Sequence, residues 1–279
     1  MTAAAADAVD AGTGPRPRRR AAWILAALLG AVLVVVPAVW QVSAYGTTRT
    51  GALRGGSGGR PVAALEIEAG SARVTVSPRG DQDVAYRAEV SWSLKAPTIE
   101  ERWRGDTLKL TPHCPAEDSW VTSGLGCSVQ LAVTVPANLP VKVTAGSGRV
   151  DISGLGGSVD ADVASGAVNL TGLRGALRAR VGSGTLRAAA LTSPEADLRI
   201  GSGRAVADFV TPPDRVTGRV GEGRLALTVP EATRFRVESR VGWGRCDVAE
   251  ELRDPASPRV LDLSVSAGRI AASYPGLTP

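Results

Sequence analysis

Residues 146–152 read GSGRVDI: a glycine–serine–glycine turn, then a strand that alternates polar and apolar side chains. The cue returns as SGAVNL at 165–170, GSGTLRA at 182–188, GSGRAVA at 201–207, GEGRLAL at 221–227, GWGRCDV at 242–248 and SAGRIAA at 266–272, with an outlying copy, GSARVTV, at 70–76. The last glycines of the turns, Gly148, Gly166, Gly184, Gly203, Gly223, Gly244 and Gly268, recur every 18 to 24 residues. That interval is too short for paired-helix repeats and fits one β-coil per repeat. The apolar residues alternate and do not recur at three and four, which also argues against helices.

Each coil holds two strands. After the turn come Val150 and Ile152, Val168 and Leu170, Leu225 and Leu227, Cys246 and Val248. Before the next turn come Val159-Ala161-Val163, Leu177-Ala179-Val181, Leu198-Ile200, Val237-Ser239-Val241 and Leu261-Leu263-Val265. Period two places these on one face and the intervening Asp, Arg and Thr on the other. The small middle column (Ala161, Ala179, Gly218, Ser239) predicts a narrow, filled interior. The expectation is all-β: a β-solenoid of roughly seven two-stranded coils with an N-terminal antiparallel β cap, preceded by one transmembrane helix.

The run VTVPANLPVKVTAGSGRVDISGLGGSVDADVASGAVNLTGL at 133–173 resembles the DUF4097 family of bacterial envelope proteins, often labelled "putative adhesin". The resemblance covers roughly 60–279. It implies a β-solenoid fold and a binding or scaffolding role at the cell envelope, and brings no catalytic residues with it. The pattern VTVP followed by GSGRVDI reappears at 227–248 as LTVP followed by GWGRCDV, a duplication or a shared structural corner.

The N-terminal region divides sharply. Residues 1–20 are small and polar, end in Arg16, Arg18, Arg19 and Arg20, and read as a disordered cytoplasmic tail. Residues 21–40, AAWILAALLGAVLVVVPAVW, carry no charge and match the ~30 Å hydrocarbon core as a transmembrane helix, bracketed by Trp23 and Trp40. Arginines precede the span and none follows before Arg49, so the positive-inside rule places the N-terminus in the cytoplasm and the rest outside the cell membrane. A second reading is a secretory signal cleaved near Ala44, after Val42-Ser43-Ala44; the apolar stretch is long for a signal, which favours retention. Residues 41–61 read as a flexible Gly/Ser/Thr linker, 62–274 as the solenoid domain with 77–140 as cap strands, and 275–279 as a tail. Within the cap, 83–95 alternates through Val84, Tyr86, Ala88, Val90, Trp92 and Leu94, and further strands fall at 106–111 and 129–135.

The net charge of +5 drops to +3 once the first 40 residues are set aside, an ordinary solvated surface. No basic patch with interleaved aromatics is present, so nucleic acid is not an expected partner. Cys114 and Cys127 flank CPAEDSWVTSGLGC on the extracellular side and predict a disulfide. A metal site there would need more ligands than His113, the single histidine of the chain. Cys246 falls in the inward column and reads as a small hydrophobe. The turns lack the recurring carboxylates of calcium-binding repeats and open no helices, so neither metal nor phosphate-bearing cofactor is implied. Asp160 and Asp162 share an outward face, but glycoside hydrolysis needs carboxylates in a cleft. No enzyme is expected.

In five of the seven copies the residue after the turn glycine is an arginine (Arg149, Arg204, Arg224, Arg245 and Arg269), and Arg73 stands at that place in the outlying copy. In register, four of these form a ladder of cations ~5 Å apart that an anionic cell-wall polymer could span; the alternative is a set of solvated turn-edge residues paired with Glu222 or Asp247. The expected role is a membrane-anchored, adhesin-like binding or scaffolding module, its partners being membrane lipid at 21–40 and an anionic polymer or a membrane protein. A sensory ectodomain of an envelope-stress system is the alternative, and a glycan-active enzyme the third reading.

Overall fold

The computed structural model describes residues 17–45, 48–93, 95–115 and 126–276. The chain divides into two units, 1–47 and 48–279, described separately below.

In the first unit, helix α1 spans Pro17–Tyr45 and so runs beyond the apolar stretch at both ends. Its described side chains, 23–37 and 39, are exposed and include Trp23, Ile24, Leu25, Leu28, Leu29, Val32 and Leu33. Among the described residues no helix is long and apolar enough to cross a membrane. Residues 1–16 of the basic tail lie outside the described residues.

The second unit is one 16-stranded sheet. Its strands are β1 Arg49–Gly56, β2 Ala64–Gly70, β3 Arg73–Arg79, β4 Ala85–Trp92, β5 Thr98–Arg104, β6 Thr107–His113, β7 Ser128–Pro136, β8 Val141–Ser153, β9 Val159–Thr171, β10 Leu177–Leu191, β11 Glu195–Phe209, β12 Arg215–Thr228, β13 Arg236–Val241, β14 Arg245–Val248, β15 Val260–Val265 and β16 Arg269–Ser273. Strands β8 to β12 pair in parallel, residue for residue: Ser147 with Ser165, Ser165 with Ser183, Ser183 with Ser202. Each long strand carries its glycine turn in the middle. Burial switches parity there: in β8, Val141, Val143 and Ala145 are buried before the turn, Val150 and Ile152 after it. The two arms of a strand therefore share an interior. A Cβ at Gly218, on the first arm of β12, would lie 2.8 Å from Leu225 on the second. This fold-back explains how only 154–158 connect β8 to its parallel neighbour β9, where a straight parallel pair needs a dozen or more residues.

The turn glycines are fixed by this stacking. Gly184 has φ +137°, and a Cβ there would collide with the carbonyl oxygen of Gly166 one rung below. The same holds for Gly203 over Gly184. Only glycine combines that backbone with that approach.

The outlying copy is a rung as read, β2 and β3, paired with the two arms of β8 (Leu65 with Val141, Val74 with Val150). Three expectations need correction. Strands β6 and β7 pair antiparallel with β5 and β4, as expected of cap strands, but also lie parallel on β2 and β3 as a further rung. The antiparallel cap is β1, β4 and β5. The 41–61 linker is not open chain throughout: β1 pairs along the whole of β4, because its glycines admit the cap side chains (Gly51 against Trp92, Gly55 against Tyr86). At the other end, the order of rungs is not the order of the chain. β12 pairs with β15 and β16, and these pair in turn with β13 and β14. The cap face expected at Val84, Tyr86, Ala88 and Val90 is buried as read, while Leu94 lies outside the described residues.

Both departures from simple succession occur at the repeated Val-Pro corner. After Pro136 the chain steps past the β2/β3 rung to β8; after Pro230 it steps past the β15/β16 rung to β13. The turns match: Leu139 N–H donates to Pro136 O at 3.0 Å and Thr233 N–H to Pro230 O at 3.3 Å.

Candidate anion-binding face

The in-register ladder turns sequence columns into rows of side chains. Thr185 lies beside Arg204, Arg204 beside Arg224, Arg224 beside Arg269, and Arg269 beside Arg245. Four of the five predicted arginines are thus brought onto adjacent strands, in the spatial order 204, 224, 269, 245. Arg149 is separated from them by Ala167 and Thr185. All five are exposed. Arg269 is held by Asp247 of the next rung, its Nη2 at 2.6 Å and its Nε at 2.8 Å from Oδ2. Among the described residues, Arg204, Arg224 and Arg245 pair with no carboxylate, and Glu222 does not engage the column. The pairing expected with Asp247 is therefore made by one arginine, and that with Glu222 is not made.

A second arginine row was missed in the sequence. Arg180 lies beside Arg199 and Arg199 beside Arg219. Its signal was legible as R-[VI]-G-x-G, at 180–184, 199–203, 219–223 and 240–244, where the arginine is the last outward position before the turn. These three line a shallow groove of about 450 Å³ floored by Ala164, Gly182, Gly201 and Gly221. The row is partly neutralised. Asp197 takes Arg199 at 2.8 Å, with Arg178 and Arg219 at 3.8 and 3.9 Å. The charged hydrogen bond to Asp197 and its negative charge raise the pKa of Arg199 above the ordinary arginine value, against a small opposing cost of burial. Arg178, Arg180, Arg199 and Arg219 set against Asp160, Asp162 and Asp197 leave a surplus of one positive charge. Between the two arginine rows, along the outside of the turn, run the hydroxyls of Ser147, Ser165, Ser183 and Ser202, all exposed.

Asp160 and Asp162 sit on the first-arm face as expected, each within ion-pair reach of an arginine on the next rung: Asp160 to Arg178 at 3.8 Å, Asp162 to Arg180 at 3.9 Å. They are part of an alternating cross-strand charge pattern, Glu66, Lys142, Asp160, Arg178, Asp197. Among the described residues no group of three or more His, Cys, Asp and Glu is placed to hold a metal ion. Cys114 and Cys127 form the expected disulfide, Cα atoms 6.1 Å apart, closing a loop whose residues 116–125 lie outside the described set. Cys246 is half-buried, not sealed in the core, because its rung is the outermost; burial still pushes its thiol pKa up.

No family model matches the chain, and no curated protein matches it. Solved structures similar to it include a "putative cell adhesion protein" from Clostridium sporogenes (12% identity, 81% of this chain and 99% of that one, TM-score 0.40). Similar too are a "putative adhesin" from Bacteroides fragilis (14% identity, 81% and 97%, TM-score 0.49) and a "putative lipid binding protein" from Parabacteroides distasonis (12% identity, 82% and 97%, TM-score 0.35).

Proposed function

We propose that this protein is an adhesin-like binding module of the cell envelope: a β-solenoid, carried on a single N-terminal membrane anchor at 21–40, that holds an anionic polymer along its arginine rows. In this reading the N-terminus is cytoplasmic and the β-domain extracellular. The support for the anchor is the uncharged 21–40 stretch and the arginines before it, together with a disulfide that belongs in an oxidising compartment. The support for the solenoid is the fold-back of each strand and the short parallel connections. The reading is of a binder, not an enzyme: the outward carboxylates Asp160 and Asp162 are paired with arginines of the neighbouring rung.

The observation that carries the binding role is the run Arg204, Arg224, Arg269, Arg245 on adjacent strands, three of the four without a carboxylate partner among the described residues. Cations at the ~4.8 Å strand spacing repel one another, and a chain of phosphates or acidic sugars along the row would relieve that repulsion while the serine row accepts and donates hydrogen bonds to its hydroxyls. Guanidinium forks suit such oxyanions. The test is co-sedimentation of the full chain, held in detergent, with the wall polymer of its own cells. Binding should weaken steeply between 0.1 and 1 M salt, as the screening length shrinks from ~10 to ~3 Å. Arg204→Gln, Arg224→Gln, Arg245→Gln and Arg269→Gln together should lower affinity by about tenfold or more. Unchanged affinity in that variant sinks the proposal.

A further inference from the structure

The last rung in space leaves its outer side open. β13 pairs with β15 alone and β14 with β16 alone among the described residues. Arg236 N–H donates to Arg259 O at 2.8 Å and Gly242 N–H to Val265 O at 2.9 Å, so even-numbered residues bond inward to the ladder. The backbone groups of Val237, Ser239 and Val241 therefore face the free edge. Side chains that every inner rung buries are uncovered here: Ser239 is exposed and Val241 is 48% exposed, where their neighbours Leu263 and Val265 are buried. Trp243, at the adjoining turn, is 98% exposed. The opposite end is guarded differently, with edge strand β5 carrying Glu100, Glu101, Arg102 and Arg104. Such charge density blunts an edge.

We propose that the free edge of β13 is a homodimer interface, at which a second copy of this chain adds its own β13 in antiparallel alignment with Ser239 opposite Ser239. Five alignments, centred on residues 237 to 241, bring free backbone groups of the two strands face to face, and charge and cover select among them. Centring on Glu238 sets Glu238 against itself and Arg236 against Arg240, and centring on Arg240 sets Arg240 against itself, all repulsive. Centring on Val237 leaves Val241 beyond the paired segment, and centring on Val241 leaves Val237 beyond it. Centring on Ser239 sets Glu238 against Arg240 and Arg240 against Glu238, and lays Val237 against Val241 on the core side. That alignment pairs Glu238 with Arg240 twice and covers the exposed valine at both ends, with Arg236 facing Gly242. The partner is a second copy because Val-x-Ser-x-Val reads the same in either direction about Ser239, and the two-fold axis there exchanges Glu238 with Arg240, each of which also keeps its own-chain partner, Arg236 or Asp262.

The full chain, purified in detergent, should have the mass of two copies by sedimentation velocity once the bound detergent is subtracted. Val241→Lys, an exposed position, should return it to one copy while leaving the far-ultraviolet circular dichroism and the melting temperature unchanged. In a Cys246→Ser background, Ser239→Cys should yield a disulfide-linked dimer on mild oxidation, because directly opposed Cβ atoms lie within ~5.5 Å; Arg236→Cys should not. A single-copy mass for the unaltered chain at tens of micromolar overturns the proposal. So does a dimer that survives Val241→Lys, which would place association in the helix, or a dimer in which Ser239→Cys fails to cross-link.

Discussion

At the scale of single residues, the turn glycines and Tyr86 show how much rests on backbone approach. Gly184 to Ala adds a methyl group where the Gly166 carbonyl already sits, at a φ that L-residues avoid. The rung must open or the strand must shift, and urea unfolding should report a loss of at least ~3 kcal/mol. An alanine at Gly70, where nothing lies within 4 Å, should cost about 1 kcal/mol, the strain of its positive φ alone. Tyr86 is buried in the cap and donates to Glu101 Oε1 at 2.6 Å, tying β4 to β5. Burial first, then the hydrogen bond to Glu101 and its charge, raise the phenol pKa well above its ordinary value. The folded state thus holds that proton more tightly than the unfolded chain. The stabilisation is complete below pH ~10 and is lost as pH climbs from there towards the folded value. Stability measured between pH 9 and 11 should fall, and Tyr86→Phe should flatten the fall. The arginine rows belong to this scale as well. Arg204 and Arg224 were readable from the sequence because they follow the glycine marker, whereas Arg180, Arg199 and Arg219 precede it and were masked by the alternation of the arm to which they belong.

At the scale of elements, β13 and β15 make an instructive pair. Both are six-residue strands with inward positions at alternate residues. The local pattern does not order them: parallel pairing uses backbone groups, and either strand would fit against β12 in register. Burial decides. Leu261, Leu263 and Val265 demand cover on both sides, and Val237, Ser239 and Val241 do not. Leu263→Ala should therefore cost ~3 kcal/mol, and Val237→Ala less than ~1 kcal/mol, by chemical denaturation. The cap supplies a second prediction. Its disulfide closes a short loop at a sequence separation of 13. Replacing Cys114 and Cys127 with serine removes ~3 kcal/mol in the chain-entropy account. At ~2–4 °C per kcal/mol for a domain of this size, the melting temperature should drop by ~6–12 °C. The disulfide was foreseeable from two cysteines in a segment read from the sequence as extracellular. The strand β1 was not, because RTGALRGG has no apolar alternation and becomes a strand only through the glycine-admitted contacts with Trp92 and Tyr86.

At the scale of the β-domain, the two rung-skipping corners have one consequence. The first parallel rung in the chain, β2 and β3, and the last, β15 and β16, are both inserted between other rungs. The end strands of a ladder normally fray first, but here the C-terminal strands are clamped on two sides. Truncation after residue 258 should accordingly unfold far more than its own length: β13 and β14 lose their partners and the β12 face, with Leu225 and Leu227, loses its cover. Removing 260–273 should abolish the cooperative transition, not trim it. Hydrogen exchange should show amides of β15 protected to nearly the same degree as those of β11, and β13 amides exchanging faster than both.

The sequence by itself determined the ladder: the glycine interval, the two-residue alternation on either side of it, and the stacking in register that makes a column of every recurring residue. These are local properties, set by which φ values glycine alone tolerates and by which side of a strand must leave water. It also determined the disulfide and the charge-free stretch at 21–40. Only the tertiary structure decided which rungs are neighbours where the chain skips, which of the arginines stand side by side, and which carboxylates neutralise them. Those depend on contacts between strands far apart in the chain, where parallel backbone pairing is indifferent to identity and the outcome is set by which apolar side chains most need a neighbour above and below.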